Sequence, residues 1–179
     1  MIASGLGQAK SPPAVMVVRH SLFKLAKDER FLVRLEQNKK LLKQGLKENV
    51  WSRPDTGIWF TLYFDGKAVA MAVMSEPDLS LVDIATFSPN IAYVVAPEHR
   101  GKKFGSVVAI HAGLAALIKY EAYQMGARVT NTASIRVILG TAGAMKAIYG
   151  KRLHTRARFI RSTTGKTPVM ILDVWLEPA

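Results

Sequence analysis

The sequence predicts a mixed α+β (mixed α/β) fold built on one sheet. Three observations lead to this fold class. Asp65-Gly66 joins two strand-like runs, a strand passes through a basic loop into a long apolar segment at residues 91–125, and two further strand-like runs end the chain. The predicted order is therefore strand, one or two helices, three strands, helix, strand, helix and two strands.

The N-terminal part is expected to hold a strand and a helical region behind a loose arm. Residues 1–13 are rich in Gly, Ser and Pro and predict a flexible arm, so that residues 14–179 form a single domain. The run at 14–19 is β-branched and predicts a strand. Apolar residues from 22 to 46 recur at mostly helical spacing, and the polar stretch 38–40 interrupts them. This pattern indicates either two helices or one helix with an exposed middle turn.

A hairpin is predicted next along the chain. The runs 59–64 and 67–74 flank Asp65-Gly66. Both central residues of a type I′ turn need positive φ, and Asp-Gly is a favoured pair for it. A weaker strand or a loop follows at 79–87.

A firmer strand is predicted at 91–96. Side chains alternate along a strand, so Ile91, Tyr93 and Val95 are expected on one face and the residues between them on the other. Residues 97–105 then connect this strand to a helix.

That connecting loop carries the chemistry most readable in the sequence. A loop that rises from a strand into a helix N-terminus exposes unpaired N–H groups, and the helix dipole adds partial positive charge there. Gly101 and Gly105 allow the backbone to approach a ligand closely. Three side chains add formal positive charge, namely Arg100, Lys102 and Lys103. The combination predicts a phosphate-binding loop.

The rest of the chain predicts two helices and three strands. Their expected positions are a helix at 105–125, a strand at 129–139, a helix at 141–153 and strands at 157–161 and 169–176. A strand is favoured at 129–139 because the run IRVIL is β-branched and a poor helix former.

Charge and composition limit the classes of function. The net charge is +12, and residues 122–172 contain nine bases and no acid, which would suit an acidic or nucleic-acid partner. The absence of cysteine excludes a disulfide framework, a thiolate zinc site and a cysteine nucleophile. No metal site is expected, because His20 and His154 lack partners at ligand spacing. Without a secretory signal or an apolar run of about 20 residues, we expect a cytoplasmic protein, or a virion-associated one if it is of phage origin.

The segment at 92–106 resembles the GNAT superfamily of acetyl-CoA-dependent N-acetyltransferases. The signature of that family here is Arg or Gln, two residues, Gly, one residue, then Gly or Ala, after a strand that ends near a Pro. Arg100 and Gly105 match it, and Phe104 lies where an apolar residue is usual. Lys103 departs from it at the first Gly position.

The resemblance implies a GNAT-like central, mostly antiparallel sheet flanked by helices over about residues 14–176, with acetyl-CoA as co-substrate. In that family the strand before the loop splays from its neighbour, and its backbone pairs with the pantetheine of the cofactor. By position, the implied cofactor-binding residues are Tyr93, Val94, Val95, Ala96, Arg100, Gly101, Lys102, Lys103, Phe104, Gly105 and Ser106.

The family often has a tyrosine in its last helix that protonates the leaving thiolate, within a pattern like Asn-x-x-Ala-x-x-x-Tyr. Two registers compete in this chain. In the first, Tyr149 is that tyrosine and Ala142 stands where Asn is expected; in the second, Asn131 is the Asn and no tyrosine falls in place. The first register is preferred, because the residues after Asn131 predict a strand.

Acetylation of an amine also needs a general base, usually Glu or His. Glu98, His99 and Asp83 are candidates by position, and Glu98 joins Tyr149 as the predicted catalytic pair. The function implied by the resemblance is transfer of an acetyl group to an amine of an unidentified acceptor. The alternative is a catalytically degenerate structural protein of this fold, for example a phage virion-associated one, or a basic nucleic-acid-binding module.

Overall fold

The computed structural model describes residues 28–51, 57–75, 88–161 and 167–178. Within these ranges the chain forms seven strands and three α-helices, with short 3₁₀ turns before the second helix and after the third. In chain order the elements are β1 (Phe31–Arg34), α1 (Lys39–Lys47), β2 (Ile58–Phe64), β3 (Lys67–Ser75), β4 (Asn90–Val95), α2 (Phe104–Tyr120), β5 (Ala122–Arg128), α3 (Thr132–Tyr149), β6 (Leu153–Ile160) and β7 (Val169–Leu176).

All seven strands belong to one sheet, in the order β1-β2-β3-β4-β5-β7-β6. Every neighbouring pair is antiparallel except β4 and β5, which run parallel. The connections through α2 and α3 lead between parallel strands, as crossover helices do. The predicted fold class, a mostly antiparallel sheet flanked by helices, is confirmed.

The predicted hairpin is also confirmed. β2 and β3 pair in antiparallel register around Asp65-Gly66, and both turn residues have positive φ, +47° and +73°. These angles are the ones that a type I′ turn requires, which explains the residue pair at this position.

Two apolar clusters lie on opposite faces of the sheet. The larger one packs the sheet against α2 and α3, and the smaller one packs β3 and β4 against α1 and Trp51. The predicted alternation along β4 is confirmed, because Ile91, Tyr93 and Val95 meet the larger cluster and Val94 belongs to the smaller one.

The N-terminal helical prediction is wrong for its middle part. Phe31–Arg34 forms strand β1, because Phe31 pairs with Phe64 across the sheet and its ring also contacts Phe104. The helix in this region is limited to Lys39–Lys47, and the Asn38 side chain caps it. The predicted arm at residues 1–13, the strand at 14–19 and the weaker strand at 79–87 lie outside the described residues.

The predicted strand at 129–139 is wrong as well. The residues from Thr132 onward form α3, which continues through the helix predicted at 141–153 and ends at Tyr149. Asn131 caps its start, with Oδ1 accepting from Ser134 N at 3.1 Å. Burial of Ile138 in the larger cluster outweighs the weak helix propensity of β-branched residues.

The end of α2 also differs from the prediction, since the helix stops at Tyr120 and not near residue 125. Glu121 has φ of +55°, a left-handed angle that ends a helix. The following residues form β5. In the described residues no helix is long and apolar enough to cross a membrane.

Candidate functional site

The loop between β4 and α2 passes twice through left-handed backbone. After the 3₁₀ turn Pro97–His99, Gly101 has φ of +78° and Lys103 has φ of +65°. Glycine adopts such angles freely, whereas another L-residue in the left-handed region is disfavoured by about 1–2 kcal/mol. Position 103 is therefore one where the backbone favours glycine, and Lys103 occupies it under strain.

The first turn of α2 is open to a ligand. Lys103, the residue before the helix, makes no side-chain capping bond, and the first helical bond runs from Val107 N to Lys103 O at 3.2 Å. The N–H groups of Phe104, Gly105 and Ser106 find no acceptor among the residues that the structure describes. Three free donors therefore lie together at the positive end of a 17-residue helix.

Gly105 lets this turn lie directly on β4. A Cβ atom at position 105 would stand 2.9 Å from Tyr93 Cε2 and 3.2 Å from Val95 Cγ2. The first of these distances is shorter than real Cβ contacts allow. The absence of a side chain thus brings the free donors of α2 close to the strand below them.

The edge of β4 that faces β5 is open. The two strands pair only at Asn90 and Gln124 and separate beyond that pair. On the other edge β4 is bonded to β3, and Ala96 N donates to Val69 O at 2.9 Å. Backbone groups alternate sides along a strand, so those of Tyr93 point toward β5. Within the described ranges, β4 thus presents unpaired backbone groups beside the first turn of α2.

The end of β4 is tied to α1 by a polar network. Val95 O accepts from Gln44 Nε2 at 3.0 Å and from Arg100 Nε at 3.3 Å. Arg100 Nη2 also lies 2.5 Å from Glu48 Oε1. The guanidinium of Arg100 therefore fixes the loop against α1 and shares its charge with Glu48.

Tyr93 spans the space between the first turns of α2 and α3. Its ring edge lies beneath Gly105, and its hydroxyl is 3.2 Å from Ser134 Oγ on α3. Burial raises the pKa of the Tyr93 phenol, while the hydrogen bond with Ser134 lowers it, and the net direction is upward. Tyr93 is therefore a neutral phenol at physiological pH, and its hydroxyl contacts the first turn of α3.

The candidate bases differ in their surroundings. Glu98 Oε1 is 3.2 Å from Lys40 Nζ in an exposed ion pair, and the pKa of Glu98 is lowered by its own backbone N–H and then by Lys40. His99 packs its ring against Phe104, and its Nδ1 atom is buried without a partner among the described residues. Asp83 lies outside those residues.

The structure does not bring Tyr149 close to Tyr93 and the first turn of α2. Ser134, in the first turn of α3, contacts β4, and Tyr149 is the last residue of the same helix. Fifteen residues of helix separate the two by about 22 Å along the axis. The residues after Asn131 form a helix, so the strand that was the reason for the preferred register is wrong, and the catalytic role of Tyr149 stays a prediction. Ile138 stands seven residues after Asn131, where the family pattern has its tyrosine.

Sequence reasoning missed three residues that complete this arrangement. Gln44 and Glu48 reach the loop from α1, and no local pattern relates them to a strand some fifty positions later. Ser134 could have been found, since an Asn three residues before it is a helix-start signal. Among the described residues no group of three His, Cys, Asp or Glu side chains is placed to hold a metal ion.

Solved structures similar to this one are acetyltransferases. The dodecameric spermidine N-acetyltransferase from Vibrio cholerae has a TM-score of 0.57 at 11% identity, over 83% of this chain and 95% of that chain. The same enzyme in complex with CoA and spermine gives 0.56 at 10% identity, over 83% and 97%. A probable acetyltransferase gives 0.52 at 16% identity, over 83% and 94%. At these identities the likeness shows the fold.

Comparison of the sequence with family profiles gives the family as well as the fold. No curated protein matches the chain significantly. The sequence profile of the Acetyltransferase (GNAT) family matches residues 19–140, about two thirds of the chain. That range contains β4, the open turn of α2 and the first half of α3. The match covers the elements that build the site, and the chain belongs to the Acetyltransferase (GNAT) family of acyltransferases.

Proposed function

We propose that this protein is an N-acetyltransferase that moves an acetyl group from acetyl-CoA to an amine. The observation that carries the proposal is the uncapped first turn of α2 beside the open edge of β4. An anion-binding helix start and a free strand edge are the two features that a pyrophosphate followed by an amide-containing arm would use.

The pyrophosphate of acetyl-CoA would bind at residues 101–106. Its oxygens would accept hydrogen bonds from the N–H groups of Phe104, Gly105 and Ser106, which have no other described acceptor. Lys102 and Lys103 are exposed and add charge of the right sign. Arg100 acts chiefly through its bond to Val95 O, which holds the loop in position.

The pantetheine arm would extend along β4 toward the point where β5 diverges. Its amides would pair with the free backbone groups on the β5 side, such as those of Tyr93. Catalysis would follow mainly from alignment of the thioester with a neutral amine and from donors aimed at the carbonyl oxygen. Glu98 would be a poor base, since its ion pair and its lowered pKa favour the ionised, weakly basic carboxylate.

The acceptor would be an amine on an anionic molecule. A net charge of +12 repels polycations and attracts acidic molecules. The spermine of the Vibrio cholerae complex is therefore a useful comparison in an acceptor panel. The rate at which the free thiol of CoA is released should be higher with a phosphorylated amine or an acidic peptide as acceptor than with spermidine or spermine. A preference for the polyamines would contradict the charge argument.

Binding of acetyl-CoA is the first test. Acetyl-CoA at a hundredfold excess over its dissociation constant should stabilise the protein by about 2.7 kcal/mol, which raises the melting temperature by about 5–10 °C for a domain of this size. No shift at millimolar acetyl-CoA or CoA would remove the proposal.

A proline substitution in the first turn of α2 tests where CoA binds. Ser106→Pro removes one free N–H from the first turn of α2, where proline is tolerated because that N–H has no helical acceptor. Loss of a charge-assisted hydrogen bond should weaken CoA binding about tenfold. Ser106→Ala keeps the N–H and should bind CoA as the unmodified protein does.

A non-catalytic function is the second candidate. It is favoured by Ile138, which stands where the family pattern has a tyrosine. A nucleic-acid version is less favoured, because Arg156 and Arg158 of the basic C-terminal third both contact Asp173. Nucleic-acid binding through phosphates would weaken steeply with salt, and binding without such a slope would exclude that version.

A further inference from the structure

Strand β6 forms one edge of the sheet, and half of its backbone groups face away from the other strands. Glu177 N donates to Arg152 O at 2.8 Å, so Arg152 and every second residue after it bond toward β7. The backbone groups of Thr155, Ala157 and Phe159 therefore point outward. They have no backbone partner among the residues that the structure describes, so this edge is open to a further strand.

One side of this edge is a largely apolar groove between β6 and α3. The groove has a volume of about 410 Å³, and its lining includes Leu139 and Gly143 of α3 and Thr155 of β6. Alternation places Ala157 and Phe159 on the same face as Thr155. Both are exposed, and 67% of Phe159 is accessible to solvent. Side chains that project from an added strand toward α3 would therefore meet apolar surface.

The other side of the edge is basic. Arg156 and Arg158 lie there, and Arg156 is opposite Asp173 of β7. Arg158 Nε is 2.6 Å and Arg156 Nε is 3.5 Å from the same oxygen, Asp173 Oδ2, so one negative charge faces two positive ones. The side chain of Arg156 is 60% exposed. Positive charge therefore remains in excess beside the free backbone groups.

The charge of this edge decides which kind of strand fits it. A second copy of the chain would bring its own Arg156 and Arg158 close to those of the first, and like charges on neighbouring strands are destabilising. Successive side chains of a strand point to opposite faces. A strand in which apolar and acidic residues alternate would therefore place apolar groups in the groove and carboxylates beside the arginines.

We propose that the free edge of β6 binds an extended segment of a partner protein in which apolar and acidic residues alternate. The segment adds to the sheet as an antiparallel strand beside β6. Its apolar side chains contact the groove, and its carboxylates pair with Arg156 and Arg158. β5 and β7 separate this edge from β4, so the inference does not depend on the proposed acetyl transfer.

The probe is a fluorescein-labelled peptide of about ten residues in which Val and Glu alternate, measured by fluorescence anisotropy at neutral pH and physiological salt. One control peptide alternates Val and Lys, and another has the same Val and Glu residues in two separate blocks. The alternating Val–Glu peptide should bind at least about tenfold more tightly than either control. Equal binding of the block peptide would reduce the effect to charge attraction and overturn the inference.

Methylated peptides test the backbone pairing. In an antiparallel pair, residues directly opposite each other exchange both hydrogen bonds and share a face. The outward backbone groups of β6 belong to Thr155, Ala157 and Phe159, which face the groove, so the Val residues of the peptide should supply the bonds. Methylation of the Val nitrogens should weaken binding at least about tenfold, and methylation of the Glu nitrogens should change it by less than about twofold. Any other order of affinities would overturn the antiparallel addition.

Variants of the protein test the same contacts. Ala157→Pro removes an outward N–H, which an edge strand tolerates, and should weaken binding of the Val–Glu peptide about tenfold, whereas Ala157→Thr keeps the N–H and the affinity. Arg156→Glu should weaken the Val–Glu peptide about tenfold and strengthen the Val–Lys peptide. Lys67→Glu makes the same change of charge in β3, four strands away from β6, and should change neither affinity by more than about twofold.

The remaining outcomes also decide the inference. Absence of binding by the Val–Glu peptide would overturn it. A dimer of the protein that Ala157→Pro dissociates would assign the edge to a second copy and overturn it as well. If Ala157→Pro does not fold, the methylated peptides and Arg156→Glu still test the pairing. All these variants should bind acetyl-CoA as the unmodified protein does, so a failure of the proposed function is seen separately.

Discussion

The first turns of α2 and α3 lie at the same end of the sheet but are completed in different ways. At α3, Asn131 Oδ1 accepts from Ser134 N at 3.1 Å, so the helix satisfies part of its own start. At α2, the corresponding residue is Lys103, which makes no side-chain capping bond and has left-handed backbone. As a result, three N–H groups at the start of α2 have no acceptor in the described part of the chain.

The three helices differ in how their N-terminal N–H groups are satisfied. A cap such as that of Asn131 contributes about 1 kcal/mol to stability, and α1 has the same kind of cap in Asn38. The start of α2 lacks this stabilisation, and the left-handed backbone of Lys103 adds strain. Its N–H donors therefore stay available for an anion. The comparison therefore shows that asparagine side chains cap α1 and α3, whereas the start of α2 keeps the uncapped donors that the proposed function requires.

The largest expected effect is at Gly105. Gly105→Ala would place a Cβ 2.9 Å from Tyr93 Cε2, and such overpacking destabilises by about 1–3 kcal/mol. The better helix propensity of Ala offsets less than about 1 kcal/mol of that loss. Urea denaturation should therefore show a net loss of about 1–2 kcal/mol.

A glycine of α3 is the matched control. A Cβ added at Gly140 would meet no atom of the described residues within 4 Å, so Gly140→Ala should stabilise by about 0.5–1 kcal/mol. In a Tyr93→Ala background the penalty of Gly105→Ala should largely disappear, because the two sites are in contact. Equal effects at positions 105 and 140 would contradict the close packing of the first turn of α2 on Tyr93.

The next effect is at the cap of α3. Asn131→Ala removes the bond to Ser134 N and should lower the free energy of unfolding by about 1 kcal/mol. Lys103→Ala at the equivalent place of α2 removes no capping bond and should change stability by less than about 0.5 kcal/mol. Similar losses from both variants would mean that α2 is capped in solution.

A smaller effect of opposite sign is expected from Lys103→Gly. The variant relieves left-handed strain of about 1–2 kcal/mol but gains chain entropy in the unfolded state, so the net stabilisation should be about 0.5 kcal/mol. Glu121→Gly is the control, since Glu121 has φ of +55° at the other end of the same helix. Both variants should raise the melting temperature slightly, and a decrease for Lys103→Gly alone would show that its side chain stabilises the loop.

The sequence predicted the part of the site that depends on local rules. Strand β4, the glycine-containing loop and the start of α2 follow each other within 15 residues, and positive φ, helix dipole and alternation act over such distances. The hairpin at Asp65-Gly66 is local in the same sense. These features were predicted close to where they lie.

The errors come from contacts distant in sequence. Residues after Asn131 have weak helix propensity, but burial of Ile138 against α2 and the sheet makes them helical. Phe31 joins a strand because Phe64 and Phe104 pack against it. The bond between Tyr93 and Ser134 depends on the first of these two corrections, because Ser134 lies in the first turn of α3.

The smallest expected effect concerns Glu98, just before α2. Its own backbone N–H and Lys40 lower its pKa in the folded state, so the stabilisation from this group is present above its ordinary pKa. That stabilisation is lost as pH falls through the lowered value, because protonation then removes the charge. Both partners are exposed, so solvent screening keeps the effect small. The Glu98 carboxyl should titrate by NMR below its usual range, and Lys40→Gln should move it upward. An unchanged titration in that variant would exclude Lys40 as a cause, and a Glu98 pKa above its usual range would restore Glu98 as a candidate base.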